Sequence, residues 1–257
     1  MAVAPRRSMM PAFDYSASPI PIRADLPAAH RRAWERLAAA GCWWTGEQRV
    51  AIAREVRLAR ACALCLARRQ ALTASAVEGR HERSGALPAA AIEAVHRLVT
   101  DASRITRSWL ETVLQGEGLS DAHYVELLGV VTTLLCIDGF HAAMGLPLEP
   151  LPEPRRGAPS QQRPAAARQE MGFVPTIPSG EATGSEADLY PGARVPNVVR
   201  ALSLVPDAVR QLRELSAAQY LPLQKVTDVR AEPGRALSRA QIELVAGRVS
   251  AQNECFY

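Results

Sequence analysis

Cys62 and Cys65, three residues apart in ARACALCLARR, are the side chains of this sequence best suited to chemistry. On a helix, an i, i+3 spacing puts both sulfurs on one face, close enough to pass between dithiol and disulfide with little backbone movement. Arg68 and Arg69 follow three and four residues after Cys65, and a guanidinium on that side favours the thiolate, the reactive form of cysteine. Glu55 lies about two helical turns before Cys62 and turns to roughly the same face. A carboxylate there can take a thiol proton directly or through a water. Zinc is set aside and no metal is expected, because a structural site takes four ligands and no second close cysteine pair exists. Thioredoxin-type chemistry needs a βαβ setting, which is missing. Buried cysteines also serve as small apolar residues, so spacing alone leaves redox chemistry and packing both open. Cys42, beside Trp43 and Trp44, and Cys136, in the apolar run 127–137, are read as core.

The elements that must position these residues read as helices. From Thr45, a cap and an early acid precede apolar residues at 50, 52, 53, 56, 59 and 63. Their three- and four-residue spacing makes one stripe, and the helix is expected to run on through the cysteines. Leu87-Pro88 opens AAAIEAVHRLVTD, which carries His96, and RITRSWLETVL continues helically. Ser120 and Asp121 cap YVELLGVVTTLLCIDGFHAAMG, which closes at Gly145 before Pro147. PNVVRALSLVPDAVRQLREL and LSRAQIELVAGRVSAQNECFY are amphipathic again. With no alternating strand pattern and no Asn-Gly hairpin, the fold class is all-α.

Ten of the 19 prolines fall in 147–196, a stretch without apolar periodicity that reads as a linker or long ordered arm. It divides the chain into a tail (1–29), an N-terminal module (30–146), the Pro-rich linker (147–196) and a C-terminal module (197–257). At 257 residues and 48% hydrophobic, the chain has enough apolar material for a core. Lys225 is the sole lysine among 30 basic residues, and the scattered arginines do not form the cluster that nucleic-acid binding requires. The apolar run 127–137 falls short of the ~20 residues that span a bilayer, and the N-terminus lacks a continuous apolar leader. Five cysteines do not read as a disulfide framework, so a reducing cytoplasm is the expected compartment.

The C-terminal segment from Glu243 to Tyr257, ELVAGRVSAQNECFY, resembles the alkylhydroperoxidase D-like and carboxymuconolactone decarboxylase-like superfamily. The motif of that superfamily is a glutamate, eleven residues, then C-x-x-C-x-x-x-H, and Glu243 and Cys255 have its spacing. The sequence stops at Tyr257, one residue before the second cysteine, and all five histidines precede the linker. The second site is therefore expected to be an incomplete remnant, cut short by truncation. The first module resembles a diverged copy, in which REVRLARACALC parallels GRVSAQNECFY. Val50 stands where the glutamate would be and Arg69 where the histidine would be. Glu55 is expected to take over the acid's role and His96, or else His141, to supply an imidazole. Glu126, Asp138 and His141 repeat the motif spacings without cysteines and are treated as coincidence.

The resemblance implies two alkylhydroperoxidase D-like helical modules, the second incomplete, and a thiol-dependent hydroperoxide reductase. In that chemistry Cys65 attacks the peroxide, Cys62 resolves the sulfenic acid to a disulfide, and no bound cofactor is needed. The implied partners are an organic hydroperoxide or hydrogen peroxide, a thiol reductant of unknown identity and further copies of the chain in a homo-oligomer, with neither nucleic acid nor membrane. The competing readings are a non-catalytic helical assembly module of the same fold and a carboxymuconolactone decarboxylase-like lyase. The substituted glutamate and histidine positions favour the first of these, and the cysteine pair argues against the second.

Overall fold

A computed structural model describes residues 13–253 and Cys255, except residues 86, 171, 191–194 and 229. Among the described residues the chain is all-helical, with a single isolated antiparallel bridge between Arg168 and Thr176. The helices are α1 (Asp25–Ala38), α2 (Gly46–Ala59), α3 (Ala63–Gln70), α4 (Ala89–Thr100), α5 (Arg107–Leu114), α6 (Asp121–Ala143), α7 (Asn197–Arg200), α8 (Pro206–Gln219), α9 (Leu223–Thr227) and α10 (Arg239–Gln252).

Local signals set most helix starts. Thr45 and Gln48 form a reciprocal capping box that satisfies two free N–H groups at the start of α2. Pro88 precedes α4, where a missing N–H costs nothing, and Ser120 caps α6 by accepting the His123 N–H. The expected single helix through the cysteines is broken, however. α2 stops at Ala59, the chain turns through Arg60 and Ala61, and Cys62 sits in extended conformation as the N-cap of α3. Neither Arg60 nor Ala61 is an intrinsic helix breaker, so the break is a tertiary outcome.

α6 is the centre of the molecule and packs against α2, α4 and α8. It is long and apolar enough to cross a membrane by length and composition. In this fold its buried Val125, Leu127, Val131, Leu134 and Ile137 face other helices instead. Each such side chain contributes about 1.5–3 kcal/mol when removed from water. The close approach of α6 and α8 depends on Gly129, where an added Cβ would stand 3.0 Å from Ala208 Cβ. The Pro-rich segment is an arm laid over the helices. Its Arg155 and Gln161 N–H groups bond the Ala38 and Cys42 carbonyls, and Val174, Ile177 and Leu189 enter the same core as α2, α4 and α6. α10 instead exposes Leu244, Val245 and Val249.

Candidate functional site

Cys62 and Cys65 are buried at the start of α3, and two histidines converge on them. His96 sits on the buried face of α4, with Nδ1 3.2 Å from the Cys65 sulfur and Nε2 3.2 Å from Oε2 of Glu55 on α2. His81 comes from the connection between α3 and α4, and its Nδ1 lies 3.6 Å from the Cys62 sulfur and 3.5 Å from the Cys65 sulfur. The two imidazole rings are 4.1 Å apart, centre to centre. One donor atom from each of the four residues lies within 4.8 Å of the others, and this set of two sulfurs and two ring nitrogens is the one among the described residues that could hold a metal ion.

Each histidine is oriented from outside by a carboxylate. Glu93 accepts from His81 Nε2 at 2.8 Å and is itself gripped by Arg68 Nη1 at 2.9 and 3.1 Å. Glu55 is fully buried; its Oε1 accepts the Ser84 N–H at 2.6 Å and the Ser84 hydroxyl at 2.8 Å. Arg68 also donates to the Val77 carbonyl at 3.1 Å, which holds the connecting segment over the sulfurs.

The electrostatics follow from this packing. Burial pushes the Cys62 thiol up, but the Cys65 N–H, the His81 ring and the Glu82 N–H outweigh it and leave the thiol below its ordinary value. Burial also opposes a charge on His81, yet the Cys65 sulfur, Glu93 and the Cys62 sulfur raise it to about 10. Glu93 is correspondingly held at about 2 by His81 and Arg68, against its own burial. His96 is lowered, first by burial and then by the charge on His81.

The structure thus brings Cys62, Cys65, Glu55 and His96 together. Arg69 is not with them. It is exposed and lines a surface hollow with Arg60 and Asp101, because one residue along a helix is a rotation of about 100°. Arg68 is the guanidinium on the site's side, and it acts through Glu93 and His81. His141 is remote, bonded to the Tyr15 hydroxyl at 3.0 Å and the Pro147 carbonyl at 2.6 Å. Glu126 and Asp138 anchor the buried Arg49 and the partly buried Arg57. Cys42 and Cys136 are raised by burial, in keeping with core positions. Glu243 accepts from the Tyr220 hydroxyl and pairs with Arg239, while Cys255 is exposed. His81, Ser84 and Glu93 were not singled out from the sequence. The available signal was that two cysteines and two histidines, a complete ligand set, fall between positions 62 and 96.

Comparison with protein-family models, curated proteins and solved structures found no match for the chain.

Proposed function

We propose that this chain is a thiol-dependent hydroperoxide reductase of the alkylhydroperoxidase D-like type, with Cys65 as the attacking cysteine and Cys62 as the resolving one. The observation that carries the reading is the line Glu55–His96–Cys65, with 3.2 Å at each step. It is a carboxylate-oriented imidazole in contact with a thiol, the arrangement that activates a cysteine nucleophile. His96 accepts the Cys65 proton and Glu55 holds the ring in place. The thiolate attacks the distal peroxide oxygen, the O–O bond breaks, and the departing alkoxide takes a proton from His81, giving a sulfenic acid on Cys65 and an alcohol. Cys62 then attacks that sulfur and expels water, leaving a 62–65 disulfide. In sum, two thiols are oxidised, one peroxide is reduced, and an external dithiol restores the pair. Val77 packs against the cysteines and His81 lies against both sulfurs, so the peroxide enters by displacing residues 77–84.

The test is to mix the reduced chain with tert-butyl hydroperoxide and analyse the quenched protein by mass spectrometry. Two thiols consumed per peroxide and a 62–65 disulfide are expected. Peroxide that leaves both thiols unmodified, at concentrations that oxidise a free cysteine only slowly, would favour the non-catalytic assembly reading instead.

A further inference from the structure

We infer that Cys62, Cys65, His81 and His96 form a tetrahedral site for a zinc ion, which holds the two sulfurs as thiolates and staples the segment 62–84 to the helical core. A zinc ion with sulfur at about 2.3 Å and nitrogen at about 2.0 Å sets each sulfur–nitrogen edge of its tetrahedron at about 3.5 Å. Three of the four such edges here are 3.6 Å for Cys62–His81, 3.5 Å for Cys65–His81 and 3.2 Å for Cys65–His96, and all four donor atoms lie within 4.8 Å of one another. His81 Nδ1 is almost equidistant from the two sulfurs, as a centre shared by both requires.

The surroundings of the four ligands point the same way. Glu93 and Glu55 each engage the Nε2 of a ligand histidine, which turns both Nδ1 atoms inward. This carboxylate–histidine–metal arrangement fixes the tautomer and raises the basicity of the ligand. Two thiolates and two imidazoles suit zinc rather than magnesium or calcium, which take oxygen. Charge balances too, since the ion displaces the protons held by the sulfurs and by His81 and meets two thiolates and two neutral rings.

Packing supplies an independent argument. Cys62, Leu64 and Cys65, with Val77 against them, form a small cluster separate from the main core. Leu66 and Leu72 nearby are exposed. A segment with so little apolar burial is where a metal cross-link adds most to stability. The site goes beyond peroxide reduction and does not depend on it. An ion in place blocks both sulfurs, so the zinc-bound chain is the protected form and the metal-free chain the reactive one.

The test is a Co2+ titration of the reduced, chelator-treated full chain. One cobalt per chain is expected, with the intense visible bands of tetrahedral cobalt and a thiolate-to-cobalt charge-transfer band, both lost on adding Zn2+. Glu93→Gln should weaken binding about 10–100-fold by loosening His81, and Cys62→Ser should cut the charge-transfer band. Absence of binding, a weak octahedral spectrum, or an unchanged spectrum in Cys62→Ser would overturn the site. A second measurement needs no variant. In dilute denaturant, Zn2+ should slow alkylation of Cys62 and Cys65 while the exposed Cys255 reacts as before. Equal labelling of Cys62 and Cys65 with and without Zn2+ would overturn it. Neither readout measures peroxide turnover, so the two proposals stand or fall separately.

Discussion

Glu55 binds Ser84 twice through one oxygen, at 2.6 Å from the backbone N–H and 2.8 Å from the hydroxyl, and keeps its other oxygen for His96. A single buried carboxylate on α2 therefore both ties down the segment 77–84 beside the sulfurs and orients the His96 imidazole. Glu55→Ala would leave the buried His96 ring without its partner, at about 1–3 kcal/mol, and release the exposed Ser84 to solvent. Hydrogen exchange should show it first, as faster exchange of the Ser84 amide and its neighbours, with a lowered Tm. An unchanged exchange rate at Ser84 would mean the bond does not hold the segment.

The roles of the two cysteines separate in single variants of the metal-free chain. Cys62→Ser should stop at a sulfenic acid trappable on Cys65, because the resolving sulfur is gone. Cys65→Ser should abolish peroxide reduction, and Cys136→Ala should leave it unchanged. Trapping the sulfenic acid on Cys62 in Cys65→Ser would reverse the assignment.

Elsewhere in the core, Arg49 and Glu126 form an ion pair at 2.8 Å, with side-chain exposures of 6% and 4%. Glu126 also accepts the Trp43 N–H at 2.6 Å. Removing one partner strands the other charge in the interior, so Glu126→Ala should cost about 3–5 kcal/mol. Urea denaturation measures this, and a loss below about 1 kcal/mol would show that water or another group rescues Arg49.

His30 makes the fold acid-sensitive. It is fully buried between the Tyr15 hydroxyl at 2.5 Å and Gln219 at 3.0 Å. Burial, then the neighbouring His141, lowers its pKa from 6.5 to about 4. Between those values the unfolded chain binds the proton and the folded chain does not. The contribution is therefore fully present above pH 6.5, declines as pH falls through the window, and is gone below about pH 4. At about 1.4 kcal/mol per pH unit it amounts to about 3 kcal/mol. Stability measured against pH should fall less steeply over this window in His30→Gln than in the parent chain. Parallel curves would contradict the assignment.

What the sequence by itself determined is the helical class, most helix starts and the identity of the thiol pair. Thr45 with Gln48, Pro88 and Ser120 could be read as starts because a helix closes its bonds within four residues and its caps act within three. Glu55 reaches the site although the break at 60–62 ends the helical count from it to Cys62, and its place there is set by its contacts with His96 and Ser84. Arg69 is off the site because Arg68 takes the side of α3 that faces Glu93 and His81, and the next residue is rotated from it by about 100°. Only the tertiary structure decided which imidazoles meet the sulfurs. His81 and His96 lie 16 and 31 residues beyond Cys65. No helical or strand period links such separations, and the side chains meet only because α4 folds back on α2 and Glu93 and Ser84 tie down the segment between. The gathering of the cysteine pair and two histidines into one cluster is thus a property of chain reversal and long-range hydrogen bonds, neither of which leaves a periodic trace in the sequence.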